Sequence, residues 1–252
     1  MKAQEGSLRV IIAADEDEWA EHAAEHFAKV ARGSVSARGA FHVVIPGGST
    51  PRLAFARILK KLPRTDAVWT QTHVYFGDER LVPPDHPDSN YRSAKEAWFD
   101  HVSIPPEQIH RIEGELEPEE AARRYSGVVG AFLRGTGAAG RVFDLLILGM
   151  GPDGHVASLI PGGKLDFVAD GFVGVGPAPV SPANVRRITL TRNTLKSSRE
   201  VVFWVRGEDK AEAVHGALLG GMVTMVPEVV PPDAPVTWIL DRGAASRLDS
   251  RS

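Results

Sequence analysis

FDLLILGMGPDGHVASLIPG, residues 143–162, is the stretch whose reading decides the fold. Its first part, FDLLILG (143–149), is an apolar run that reads as a buried strand. The part that follows, 149–162, is glycine, proline and small residues around one histidine, His155, two positions after one acid, Asp153. His155 has three possible readings: a catalytic base, a metal ligand, or a helix-start histidine bonded only to its own backbone neighbourhood.

Working outward, apolar runs of the same kind recur and alternate with amphipathic stretches. Strands are expected at 8–14, 41–45, 72–77, 186–191, 200–207 and 234–240. Helices are expected at 15–32, capped by Asp15 and stopped by Gly33, and at 51–62, 89–99, 118–133 and 209–220. Strands separated by helices imply parallel pairing in a three-layer α/β/α arrangement. The Gly/Pro/Val-rich segment 161–184 is the least regular part and reads as a long surface connection. No internal repeat or linker is evident, so one domain over 1–252 is expected.

Composition narrows the function. The 252 residues carry 29 Lys+Arg against 32 Asp+Glu, a net charge of −3, which gives no general attraction to nucleic acid or to an anionic membrane. The absence of cysteine removes disulfides, thiolate nucleophiles and cysteine-ligated metals. The N-terminal apolar run is too short for a signal-peptide core or a membrane span, so a cytoplasmic protein is expected.

In an open parallel sheet, ligands bind beyond the carboxyl ends of the strands. Four segments there are polar and glycine-bearing: PGGSTPR (46–52), GDERLVPPDHPDSNYR (77–92), GMGPDGHVAS (149–158) and RGEDKA (206–211). In the first, Gly47 and Gly48 allow close backbone approach, Ser49 and Thr50 supply hydroxyls, and free helix N–H groups favour an anion. An ordinary capped β–α turn would read the same way. In the second, Asp78 and Glu79 precede Arg80 at a strand mouth, and a proline-stiffened loop holds Asn90, Tyr91 and Arg92. That group is either a substrate clamp or a solvated turn. Lys210 could meet an anion from the side opposite Arg80, or lie on a helix surface. No HExxH or His-x-His pattern accompanies His155, so no metal is expected. No GxSxG elbow supports Ser158 as a nucleophile. A base acting on water, oriented by Asp153, is the simplest role.

Together with RITLT (187–191), the segments PGGSTP, GDER…DSNY, FDLLILGMGPDGHVASLIPG and VRGEDKA resemble the 6-phosphogluconolactonase family in order and spacing. The resemblance runs from about residue 8 to about residue 242. It implies a Rossmann-like, mostly parallel fold of the sugar-phosphate isomerase/deaminase type. It also implies a cytoplasmic hydrolase of 6-phospho-D-glucono-1,5-lactone that uses no cofactor and no metal. His155, Asp153 and Arg80 would be the catalytic group. Gly47, Gly48, Ser49, Thr50, Asp78, Asn90, Arg92 and Lys210 would bind the phosphosugar. No nucleic-acid or membrane partner is implied, and a monomer or weak homodimer is expected. The homologous glucosamine-6-phosphate deaminases are the alternative, but where their motif carries a glutamate this chain has Ile160, which cannot move a proton. Their Asp-Glu-Tyr block is Asp78-Glu79-Arg80 here. A non-catalytic sugar-phosphate sensor is a further alternative. One departure from the lactonases is Leu195-Lys196, where a leucine–asparagine pair is usual; that position reads as structural.

Overall fold

The computed structural model describes residues 7–48, 50–135, 140–176 and 185–248. In chain order its elements are β1 (Leu8–Ala13), α1 (Glu16–Arg38), β2 (Phe41–Ile45), α2 (Thr50–Lys61), β3 (Thr72–Phe76), β4 (Asp78–Arg80), α3 (Asn90–Ala97), β5 (Ile109–His110) and α4 (Pro118–Gly135). Then follow β6 (Leu145–Leu148), β7 (Phe167–Ala169), β8 (Val173–Gly176), β9 (Arg187–Leu190), α5 (Arg192–Leu195), β10 (Val201–Val205), α6 (Ala211–Leu219), α7 (Val226–Val229), β11 (Val236–Asp241) and α8 (Arg242–Ala245).

Seven strands form one sheet in the order β1-β11-β10-β6-β2-β3-β5. Every pairing in it is parallel. All four residues of β6 are buried, as a strand covered on both faces requires. Successive residues of β2 show the two faces. Phe41 meets Phe27 of α1 with ring centroids 5.4 Å apart, whereas His42 stacks on Phe132 of α4 at 4.3 Å. Helices therefore cover both sides, and the architecture is a three-layer α/β/α sandwich. On the α1 side, Trp19, Phe27, Phe55, Trp69, Trp98 and Trp204 are fully or almost fully buried and pack edge-on or stacked. On the α4 side, His42 and His73 stack at 4.6 Å, and His73 Nδ1 lies 3.3 Å from His110 Nε2, giving a half-buried row of three imidazoles.

Two expectations are corrected. The segment 161–184 is not simply a surface connection: among its described residues are β7 and the fully buried β8. Asp170 and Gly171 both take positive φ (50° and 79°), and Phe172 N–H donates to Ala169 O at 3.0 Å. An Asp-Gly pair is what a tight hairpin turn needs, because both central residues must be left-handed. Residues 186–191 do not join the parallel sheet either. Their strand, β9, belongs to a second, four-stranded sheet, β4-β9-β8-β7, in which every pairing is antiparallel. Tyr125 of α4 anchors the junction between the sheets, its hydroxyl accepting from Phe76 N–H at 2.8 Å and donating to Phe76 O at 3.0 Å.

Helix α1 starts as expected, with the Asp15 carboxylate accepting from Glu18 N–H at 2.9 Å. It runs past Gly33 to Arg38, because the apolar stripe continues through Ala31 and the buried Ser34. Gly39, with φ 77°, is the left-handed residue that ends it. Gly33 thus sits inside a helix, and nothing lies within 4 Å of where its Cβ would be. Gly33→Ala should stabilise the fold by about 0.5–1 kcal/mol, measured as a higher urea midpoint with an unchanged m-value.

Candidate active site

The four segments singled out in the sequence follow β10, β6, β2 and β3, which are consecutive neighbours in the sheet. Parallel pairing brings all four strand ends to one edge. Strands are about 4.8 Å apart, so the row from the β10 loop to the β3 loop spans roughly 14 Å, within reach of a phosphosugar and the side chains on either side of it.

Residues 149–163 form turns with a single bridge between Val156 and Leu159, not a helix. His155 is therefore not a helix-start histidine. Its Nδ1 lies 2.5 Å from Asp153 Oδ1, and its backbone N–H donates to the same oxygen at 3.2 Å. Gly151 closes the turn, donating its N–H to His155 O at 2.9 Å. A Cβ there would fall 2.0 Å from His155 Nδ1, so only glycine lets the ring stand in this position. Burial tends to raise the Asp153 carboxyl, but the neighbouring His155 and its hydrogen bonds win and hold it below the usual carboxylate range. With Nδ1 engaged by an ionised acid, Nε2 is the nitrogen left to accept a proton. The imidazole is one-third exposed, so a ligand can reach it.

The GDER block divides its charges between two faces, as a strand must. Glu79 faces α3 and is buried. It accepts from the backbone N–H groups of Arg80 (2.8 Å), Asn90 (2.7 Å) and Tyr91 (2.8 Å) and from Ser89 Oγ (3.0 Å). Burial raises this carboxyl while the four donors oppose the shift. Glu79 is thus the anion that the free N–H groups of α3 bind, not a substrate clamp. Asp78 faces the other way, towards the His155 loop. Its Oδ2 accepts from Ser158 Oγ at 2.6 Å and lies 3.6 Å from Arg187 Nη1, while Asn90 Nδ2 donates to Asp78 Oδ1 at 3.2 Å and to its carbonyl at 2.9 Å. Arg80 donates to Asp88 O at 2.6 Å.

Asn90 also defines the β2 loop. A Cβ on Gly47 would lie 2.0 Å from Asn90 Oδ1 and 2.2 Å from Nδ2, so Gly47 admits the Asn90 amide rather than a ligand at this point. Gly48, at φ 92°, makes the left-handed bend into α2, whose first residues are Thr50 and Pro51. Ser49 lies outside the described residues.

The remaining cations are placed less simply. Lys210 is not one turn into a helix. It closes a short 3₁₀ turn, Glu208–Lys210, ahead of α6, with its Nζ 2.7 Å from Asp209 Oδ2. Arg92 donates to Glu96 Oε1 and Asp85 O, each at 2.7 Å, and so braces the loop before α3 instead of joining the site. Arg52 points outward to Glu96 at 3.7 Å. Sequence reasoning assigned no site role to Arg187, which has only 11% of its side chain exposed and stands opposite Arg80 in the β4–β9 register. The available signal was the spacing of Arg187 and Thr189, two apart and so on one face of a strand.

The contact between Gly47 and Asn90 gives a direct test. Gly47→Ala should cost about 1–3 kcal/mol in urea unfolding. Combining it with Asn90→Ala should cost less than the sum of the two single changes, because the clash is removed with the amide.

A family model described as glucosamine-6-phosphate isomerases/6-phosphogluconolactonase matches residues 14–244. The 6-phosphogluconolactonase of Haemophilus influenzae is 35% identical over 216 residues, covering 82% of this chain and 87% of that protein. The chloroplastic 6-phosphogluconolactonase 3 of Arabidopsis thaliana is 40% identical over 220 residues, covering 84% of this chain and 66% of that protein. The solved structure of a 6-phosphogluconolactonase from Thermotoga maritima superposes with a TM-score of 0.77 at 28% identity, covering 93% of this chain and 100% of that one. The matched region takes in all four strand-end segments, and the chain belongs to the glucosamine-6-phosphate isomerase/6-phosphogluconolactonase family.

Proposed function

We propose that this protein hydrolyses 6-phospho-D-glucono-1,5-lactone to 6-phosphogluconate, a step of the oxidative pentose phosphate pathway. The observation that carries the chemistry is the 2.5 Å contact between His155 Nδ1 and Asp153 Oδ1 at the centre of four convergent loops. The relatives named as 6-phosphogluconolactonases support the substrate. Ile160, at the position of the deaminases' glutamate, favours lactone hydrolysis over amine release.

In this reading, water is deprotonated by His155 Nε2 as it attacks the lactone carbonyl. Asp153 fixes the ring's orientation and favours the imidazolium that forms. The imidazolium then returns its proton to the ring oxygen as the C–O bond breaks. The water supplies the OH of a carboxylic acid and the hydrogen of the freed hydroxyl, and the acid then ionises to the carboxylate, releasing a proton to solvent. The 6-phosphate is held by the loop between β2 and α2, through its backbone N–H and hydroxyl groups, together with Lys210. Gripping a remote group positions the carbonyl against the base and lowers the entropic part of the barrier. A δ-lactone is already reactive, so one base and positioning suffice without a metal or cofactor. The reaction is assigned to the cytoplasm, and the protein to a single domain acting as a monomer or weak homodimer.

The test is hydrolysis of freshly generated 6-phosphogluconolactone in the presence of EDTA. Wild type should turn over well above the spontaneous rate. His155→Ala should lose about 10²–10⁴-fold in kcat with little change in KM. Lys210→Ala should mainly raise KM. A wild type no faster than the spontaneous reaction would reject the lactonase reading. Ammonia release from glucosamine 6-phosphate would then separate the deaminase from the non-catalytic sensor.

A further inference from the structure

We infer that Arg187, side by side with Arg80 across β4 and β9, receives the lactone carbonyl oxygen as it becomes an oxyanion, and afterwards the product carboxylate. This rests on the lactonase reading and assigns it an oxyanion-binding residue.

The placement follows from strand register. β4 and β9 are antiparallel, with Asp78 opposite Thr189 and Arg80 opposite Arg187. Asp78, Arg80, Arg187 and Thr189 therefore share one face of the small sheet. That face meets the His155 loop: Ser158, three residues after His155, donates its hydroxyl to Asp78 at 2.6 Å and its N–H to Thr189 Oγ1 at 3.4 Å.

The charges on this face do not balance. Arg187 stands beside one carboxylate, Asp78, which already accepts from Ser158 and Asn90, and Arg80 across the strand pair spends one donor on Asp88 O. Glu79 is on the opposite face, bound to the start of α3. Arg186, one residue earlier, pairs with Asp166 at 3.2 Å and offers nothing here. The Nε atoms of both Arg80 and Arg187 are buried and without a hydrogen-bond partner. Burial holds the Arg187 guanidinium below its usual range; Asp78 and, more weakly, Glu79 from the other face offset this, and Arg80 adds to it by repulsion. Two crowded cations with unused donors attract an anion, and guanidinium groups suit a planar or tetrahedral oxyanion. The phosphate already has the residue 47–50 loop and Lys210 as its proposed holders. The carbonyl oxygen has none, and the arginine pair is tied by Asp78 and Ser158 to the loop that carries the base.

Arg187→Gln and Arg187→Lys are compared with wild type for kcat and KM, and for competitive inhibition by inorganic phosphate. Far-UV circular dichroism and thermal midpoints confirm folding. Arg187→Gln should lower kcat about 100-fold, the scale of losing one oxyanion donor, with KM and phosphate inhibition each within about twofold of wild type. Arg187→Lys should recover part of kcat, since it restores the charge but not the fork. If Arg187→Gln does not fold, the lysine variant alone carries the test, with an expected loss of about tenfold in kcat. A raised KM with weakened phosphate inhibition at unchanged kcat would make the pair a phosphate subsite and overturn the inference, as would unchanged kinetics. An inactive wild type would instead overturn the lactonase reading and this inference with it. An active wild type with an indifferent Arg187→Gln would remove the inference alone.

Discussion

The buried carboxylate of Asp78 is the joint on which the site depends. It takes a hydroxyl hydrogen bond from Ser158, an amide hydrogen bond from Asn90 and the nearby charge of Arg187. Those partners lie on the His155 loop, at the start of α3 and on β9, three segments far apart in sequence. Asn90 extends the joint to a fourth, because Gly47 is packed directly against it. A carboxylate this well supplied with donors stays where it is, and a buried one deprived of them is costly. Fixing Asp78 thus fixes the relative positions of the loops after β2, β3 and β6.

Two neighbouring acids, Asp78 and Glu79, could have been equivalent in function, but the pleat separates them. Glu79 turns to the α3 N-terminus and completes a helix cap with a full set of donors. Asp78 turns to the His155 loop. The third acid, Asp153, is more exposed and serves His155 through both its ring and its backbone N–H. Each carboxylate thereby meets a different partner: backbone dipoles, a hydroxyl with a guanidinium, and an imidazole.

The parallel sheet was legible in the sequence because its strands are apolar runs and its helices have capped, amphipathic patterns. The second sheet was not. β4 is three residues, Asp78-Glu79-Arg80, with no apolar alternation at all, and it forms because β9 supplies its partners. The Asp170-Gly171 turn was visible as a dipeptide, but it stood in a segment whose glycines and prolines suggested a connection. The helix end at Gly33 was misread because a glycine with φ in the helical range looks, in sequence, like one that is left-handed. Among site residues, Asp153 and His155 are only two positions apart in the chain, so their pairing could be anticipated. The role of Gly47 against Asn90 and the nearness of Arg187 to Asp78 are long-range consequences of register, and local patterns do not encode them.

The imidazole row on β2, β3 and β5 has a consequence for the limits within which this fold persists. Burial, with mutual repulsion, lowers His42 and His110 to about 4, and burial lowers His73 as well. Arg38, held close by Asp144, adds to the effect on His42. In the unfolded chain the same side chains titrate near 6.5. Above that value neither state is charged and the row is neutral to stability. Between about 6.5 and about 4 the unfolded chain binds protons that the folded chain refuses, so stability falls as the solution is acidified. Protons therefore act as competitors of folding at strands β2, β3 and β5. The sheet whose loops carry the His155–Asp153 pair thus loses stability on the acid side through three other histidines that its burial keeps neutral.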